Sequence, residues 1–175
     1  ITHSTRKILE KFGIWRNLKP YLFGFDTLSI YDTVFSSGTI LTTSDLDKDI
    51  NCEKNIGWVV KHSDLISVFF QEIDKHDNIS FYSPQKLPQE INSFDYQFVS
   101  TGANSLEKRF LNFPYIQKSY NQSCLTFKVL VRGNYAGRAY EIFRKEGPLA
   151  LLPLKNNLYQ IIWTASTPKS IERLN

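Results

Sequence analysis

The sequence predicts an α+β fold, and three observations carry the prediction. Residues 4–18 and 63–73 space their apolar residues at helical intervals. Residues 123–132 alternate, with Leu125, Phe127, Val129 and Val131 on one face and Thr126, Lys128 and Leu130 on the other, as in a half-buried strand. Residues 148–154 (PLALLPL) are an apolar run too short for a helix, and a turn signal separates them from a second apolar run at 158–164. Of the 175 residues, 42% are hydrophobic and 22% charged, which excludes a disordered charged tail. No stretch approaches the ~20 apolar residues of a membrane span, and the opening ITHSTRKILE lacks the basic start and apolar run of a signal peptide.

In the first helical segment Ser4 or Thr5 can cap, Ile8, Phe12 and Trp15 form the apolar stripe, and Pro20 follows the end. Residues 27–35 read as a strand carrying Leu28, Ile30 and Val34. Ser36, Ser37 and Gly38 make a turn, and residues 39–43 return as the hairpin partner. Residues 45–55 are polar and read as a loop. Residues 58–60 form a short strand. Ser63 caps a second helix striped by Leu65, Phe69 and Ile73 and reinforced by Ile66 and Phe70. Residues 79–82 and 96–99 are further strands, the second running into Thr101-Gly102-Ala103-Asn104-Ser105. The hairpin 148–164 turns at Asn156-Asn157, and Ser166-Thr167-Pro168 starts a final helix. Helices and strands entered, left and re-entered suggest two interleaved subdomains.

The net charge of +4 is thinly spread, with Lys7, Lys11, Arg16 and Lys19 on one probable helix, so a solvated face is expected and no nucleic-acid partner. Cys52 and Cys124 form no CxxC, and His3, His62 and His76 are not spaced as ligands, so no metal is expected. The cysteine usage points to a reducing, cytoplasmic setting. The chain has no methionine and opens on Ile1, which reads as a piece of a longer protein. Phosphate-loop, nucleophile-elbow and metalloprotease patterns are absent. Aromatics reach 14%, with 13 Phe, 9 Tyr and 3 Trp, and can line an apolar pocket. Two segments stand out. In DYQFVSTGANS, residues 95–105, a glycine after a strand lets backbone approach a ligand, and the amides beyond it can meet an anion. In GPLALLPL, residues 147–154, the hairpin can wall a ligand cavity or simply form sheet core.

Four stretches, in order, resemble the FAD-dependent aromatic hydroxylases of the ubiquinone-biosynthesis type, within the para-hydroxybenzoate hydroxylase-like flavoprotein monooxygenases. THSTRKILEKFGIW resembles the first helix after the dinucleotide-binding unit. IGWVVKHSDLISVFFQEI resembles the family's strand and helix GyvvxxxxLxxxLxxxl. DYQFVSTGANSLEK sits where the family has GADGANSxxR, with Thr101 in place of the aspartate and Lys108 in place of the arginine. AYEIFRKEGPLALLPLKNNLYQIIWT resembles AyerFxxxGPlAlLPl…vvWt. The glycine-rich entry and the closing GD segment of the family are not in this sequence, so the chain resembles the middle of such an enzyme.

The resemblance implies an α+β fragment of an α/β FAD-binding monooxygenase fold. Residues 1–23 and 57–108 would belong to the FAD-binding domain, interleaved with an antiparallel or mixed substrate-binding sheet from 24–56 and 109–164; residues 165–175 would start a helix returning to the FAD domain. It implies hydroxylation of a phenolic or quinone-precursor ring with FAD, NAD(P)H as reductant and O2, and a piece that is inactive alone. His62, Thr101, Gly102, Ala103 and Asn104 would lie at the cofactor, although His62 also reads as an exposed cap-region histidine. Leu149, Leu151, Pro153 and Trp163 would wall the substrate site for an aromatic or prenylated phenol. No residue is expected to act as a catalytic nucleophile or base. Thr101 carries no charge to orient an arginine or a ribose, which bears on the NAD(P)H role of its segment. The complete enzyme would be cytoplasmic, with peripheral contact to a membrane. The alternatives are a non-catalytic apolar-ligand-binding module on the same sheet and a related flavin reductase.

Overall fold

The computed structural model describes residues 1–46, 54–82, 94–96, 98, 100, 116, 118–133 and 137–174. The chain divides into two compact units, Ile1–Lys75 with Asn121–Asn175, and His76–Tyr120.

The first unit begins with α1 (His3–Lys11), capped by Thr2, whose hydroxyl accepts from the Thr5 amide at 3.4 Å. Ser4 and Thr5, expected as caps, lie inside the helix. The helix expected over 4–18 is two helices. Phe12 closes α1, and Gly13 turns left-handed at φ 73° before α2 (Ile14–Leu18). A residue with a Cβ pays roughly 1–2 kcal/mol for that conformation, so the helix breaks at the glycine. The break resets the helical phase. Leu9, Ile14, Trp15 and Leu18 are buried, while Ile8 is 57% and Phe12 65% exposed, which corrects the expected Ile8–Phe12–Trp15 stripe.

A 3-10 turn, Lys19–Tyr21, leads to β1 (Phe23–Phe25), which pairs antiparallel with β4 (Gly57–Val59) with Gly24 opposite Trp58. Then α3 (His62–Ile73) brings Val68 against Leu9, Ile14, Trp15, Leu18 and Trp58, with Leu65 and Phe69 packed beside them. The buried stripe of α3 thus centres on Val68, and Ile66 and Phe70 remain exposed. The N-cap is Lys61 rather than Ser63, with no side-chain bond to the first turn.

The larger sheet has six strands in the order β3-β2-β6-β7-β8-β5. They are β2 (Thr27–Asp32), β3 (Ser37–Thr42), β5 (Gln122–Leu130), β6 (Arg138–Phe143), β7 (Leu149–Pro153) and β8 (Leu158–Ser166). All neighbours are antiparallel except β2 and β6. The β2–β3 turn lies earlier than expected. Asp32 Oδ1 accepts from the amides of Val34 (2.8 Å) and Phe35 (3.1 Å), so the side chain of the last strand residue caps the turn. Val34 and Phe35 are therefore exposed turn residues, and Ser37 and Gly38 belong to β3.

The β7–β8 hairpin turns at Asn156 and Asn157, with φ of 59° and 57°. Two positive φ values are the sign pattern of a type I′ turn, which asparagine tolerates and which matches the twist of a tight hairpin. The final helix, α4 (Thr167–Glu172), starts where β8 ends and places Pro168 in its first turn. Its Ser170 hydroxyl donates to the Ser123 carbonyl at 3.0 Å, tying the helix to β5.

In the second unit the strand expected at 79–82 is absent; the Ile79 amide closes a turn onto His76 O at 3.0 Å, and no strand partners these residues among those described. Of the strand expected at 96–99, Tyr96 and Phe98 are exposed and not in a strand, and the other two residues lie outside the described residues. The loop expected at 45–55 begins as a 3-10 turn, Thr43–Asp45, with a Thr42–Asp45 capping box; residues 47–53 lie outside the described residues.

Candidate apolar site on the larger sheet

Residues paired directly across strands share a face of the sheet. The register sets Leu151 beside Tyr140 and Ile161, Leu149 beside Ile142 and Trp163, and Pro153 beside Tyr159. The parallel pairing of β2 with β6 adds Tyr31 beside Ile142. On this face a cavity of about 350 Å³ is lined by Tyr31, Val131, Tyr140, Ile142, Leu151 and Tyr159. Tyr159 is 2% exposed, and its hydroxyl donates to Arg138 O at 2.9 Å, which turns the polar end of the ring away and fixes the remainder as wall. Val131 is held at the mouth of the hairpin, its amide donating to Asn157 O at 3.0 Å. Such a lining offers an apolar surface to a ring or chain.

Of the four residues expected on the substrate wall, Leu151 lines this cavity. Leu149 and Pro153 share its face without lining it, and Pro153 is buried. Trp163 lies one strand pair along from the cavity under two guanidinium groups. The Arg173 carbon sits 3.9 Å from its ring centroid and that of Arg144 5.7 Å. Glu146 organises both arginines, accepting from Arg173 at 2.8 Å on each oxygen and from Arg144 at 3.0 Å, with Lys169 at 3.6 Å. The Arg173 hydrogen bonds, with the charges of Arg173, Arg144 and Lys169, hold the Glu146 carboxyl below its ordinary value. The other face of the sheet carries Glu141, pushed above its ordinary value by burial.

Of the residues expected at a cofactor, His62 is the exposed first residue of α3, at a helix start without a side-chain cap. Thr101, Gly102, Ala103 and Asn104 lie outside the described residues. His62 does not line the cavity that includes Leu151. Tyr140 and Ile142 were missed from the sequence, although they alternate about Glu141 and could have been read as one strand face. Tyr159 follows from the hairpin register once the turn is placed. Tyr31 has no local signal, because its place depends on a parallel pairing whose strands join residues 110 apart, as in the Thr33 hydroxyl bonding Phe143 O at 3.0 Å. Among the described residues, no group of three His, Cys, Asp or Glu side chains could hold a metal, and no helix is long and apolar enough to cross a membrane.

No family model matches the chain. An uncharacterized protein of Synechocystis sp. is 24% identical over 97% of this chain and 44% of its own length. The mitochondrial ubiquinone biosynthesis monooxygenase COQ6 of Dictyostelium discoideum is 21% identical over 94% of this chain and 41% of its own length. This chain is distantly similar to a monooxygenase of ubiquinone biosynthesis. It spans less than half the length of either relative.

Proposed function

We propose that this chain is part of an FAD- and NAD(P)H-dependent monooxygenase that hydroxylates a phenolic or quinone-precursor ring. The observation that carries the reading is the similarity to the ubiquinone biosynthesis monooxygenase along 94% of the chain. The apolar cavity beside the GPLALLPL strand supports it. Among the described residues, the start of α3 is where a flavin nucleotide would be met. There the His62 and Ser63 amides have no side-chain cap and His62 stands beside them with a ring nitrogen to offer, while the Asp64 amide already donates to Lys61 O at 3.1 Å and the Asp64 carboxylate shares the first turn. Thr101, Gly102, Ala103 and Asn104, outside the described residues, are assigned to the cofactor by the resemblance of their segment alone.

FAD, once reduced by NAD(P)H, supplies the activation of O2 and the oxygen transfer to the ring. The chain's own residues bind and orient. Leu151, Tyr140, Ile142 and Tyr31 hold the apolar part of the substrate, and the anchored Tyr159 ring closes the floor. Among the described residues the cavity wall is apolar, which disfavours water beside the bound ring. Leu149, Pro153 and Trp163 support that wall from the same face. No side chain here is assigned a catalytic proton transfer. An aromatic or prenylated phenol suits such a lining, since each buried CH2 contributes about 0.8 kcal/mol. The enzyme would work in the cytoplasm against a membrane surface from which such a substrate is drawn.

The test is the absorbance spectrum of the purified full-length protein, followed by NAD(P)H oxidation and O2 uptake with a phenolic substrate. A bound flavin and substrate-stimulated uptake are expected. A protein that takes up apolar phenols but binds no flavin after reconstitution would overturn the enzyme reading in favour of a ligand-binding module. Flavin reduction without ring hydroxylation would favour a reductase.

A further inference from the structure

A second cavity, of about 430 Å³, lies among the helices and the small sheet, and its lining includes Arg6, Trp15, Lys19, Lys54, Asn55 and Trp58. Its chemistry is the reverse of the first. Three cations converge on it, and among the described residues no acidic side chain lines it. They come from α1, from the 3-10 turn after α2, and from the approach to β4, so the fold rather than a local basic run assembles them.

The floor is stiff. Trp15 and Trp58 meet edge to face, with centroids 5.0 Å apart at 78°, and are only 8% and 7% exposed. The Arg6 guanidinium lies 5.5 Å from the Trp15 ring and 5.8 Å from the Trp58 ring, and its Nε donates to Glu10 at 2.7 Å. The arginine is thus held in place on both sides. Asn55 is fixed through its backbone, whose carbonyl accepts from His3 Nε2 at 2.9 Å. Lys19 and Lys54 have no acidic partner among the described residues. Two ammonium groups without an acidic partner among the described residues, beside a guanidinium fixed by Glu10, focus a positive potential on one concavity that an anion relieves.

We propose that this cavity binds a phosphate dianion, free or as the phosphate of a small ester such as a nucleotide. A group with two negative charges and several acceptor oxygens can meet two lysines and the arginine at once, whereas a single carboxylate leaves positive charge uncompensated. The site is independent of the flavin reading, since none of its residues belongs to the apolar cavity or to the start of α3.

The experiment is calorimetric titration of the full-length protein at low salt with inorganic phosphate, adenosine 5′-monophosphate and malonate. Phosphate is expected to bind, more weakly as salt is raised. Lys19→Gln and Lys54→Gln each weaken it by about threefold to tenfold, and Lys54→Glu abolishes it, while Lys7→Gln, outside the cavity, leaves it unchanged. Tighter binding of the nucleotide than of phosphate, lost in the same variants, assigns the site to an ester; equal binding assigns it to the free anion. Nucleotide held elsewhere is insensitive to Lys19 and Lys54. Circular dichroism of the variants, changed at surface lysines, is the check that they remain folded. Absence of phosphate binding, unchanged affinity in the Lys19→Gln/Lys54→Gln double variant, or equal affinity for malonate overturns the proposal.

Discussion

Gly147 opens the GPLALLPL segment, and Gly147→Ala is expected to cost more stability than its small size suggests. The residue sits at φ 137°, a conformation that L-residues rarely adopt. A Cβ there would lie 2.7 Å from the Thr164 carbonyl oxygen and 3.1 Å from its carbon, both backbone atoms. That carbonyl cannot easily withdraw. The Thr164 amide donates to Pro148 O at 3.0 Å, and its oxygen accepts from Arg144 at 3.3 Å. The dihedral strain contributes about 1–3 kcal/mol, and the forced contact a further 1–3 kcal/mol or so. A loss of about 4 kcal/mol lowers Tm by about 8–16 °C for a chain of this length. Gly13→Ala is the matched control. It also has positive φ, 73°, but nothing lies within 4 Å of the added carbon, so about 1–2 kcal/mol of conformational cost is expected. Urea and thermal unfolding followed by circular dichroism measure both. If Gly147→Ala loses no more stability than Gly13→Ala, the contact with β8 does not hold this turn and the argument fails.

In the full-length protein, Leu151→Asp should raise KM for an apolar phenol at least about tenfold and let NAD(P)H oxidation outrun hydroxylation at normal flavin content, because a desolvated carboxylate is costly and admits water; unchanged KM and coupling would place the substrate elsewhere. Glu146 is held below its ordinary value of 4.5 chiefly by the Arg173 hydrogen bonds, so its stabilisation is full above that value and is lost as pH falls through the folded-state value. Tm measured from neutral to acid pH should therefore fall less steeply for Glu146→Gln than for the parent; parallel profiles would show that the pairing adds nothing. Burial raises the Glu141 carboxyl, so its ionisation works against the fold at neutral pH, and Glu141→Gln should raise Tm at neutral pH but not in acid, where both side chains are uncharged; a lower Tm at neutral pH would contradict this.

The β7–β8 hairpin was legible from its residues alone. An apolar run bounded by prolines, a pair of asparagines and a second apolar run specify two buried strands and a tight turn, because both the turn and the pairing are local. The start of β5 was legible for the same reason, its alternation matching one half-buried face. The helical segment 4–18 was legible as helix but not as two helices. Gly13 could have been accommodated inside a straight helix for about 1 kcal/mol, and the chance to bury Ile14, Trp15 and Leu18 against Trp58 and Val68 decided for the break. The early turn after β2 escaped notice because a capping aspartate at the end of a strand looks like any polar strand residue.

Composition and spacing determined an α+β chain, one well-specified hairpin and the apolar strand that borders the candidate site. The resemblance carried by those segments supplied the flavin-enzyme expectation. The tertiary structure alone decided which aromatic residues share the cavity with Leu151, since Tyr31 reaches it through a parallel pairing that no local pattern encodes. It also decided that Trp163 lies under Arg144 and Arg173 instead of facing that cavity. The convergence of Arg6, Lys19 and Lys54 was likewise invisible in the sequence, where Lys19 read as one of several charges on a solvated helix face. Hydrophobic period and turn chemistry act over a few residues and are written in the chain. Strand order, the facing of one element by another and the local concentration of charge arise from contacts between residues far apart, and exist only once the chain has closed on itself.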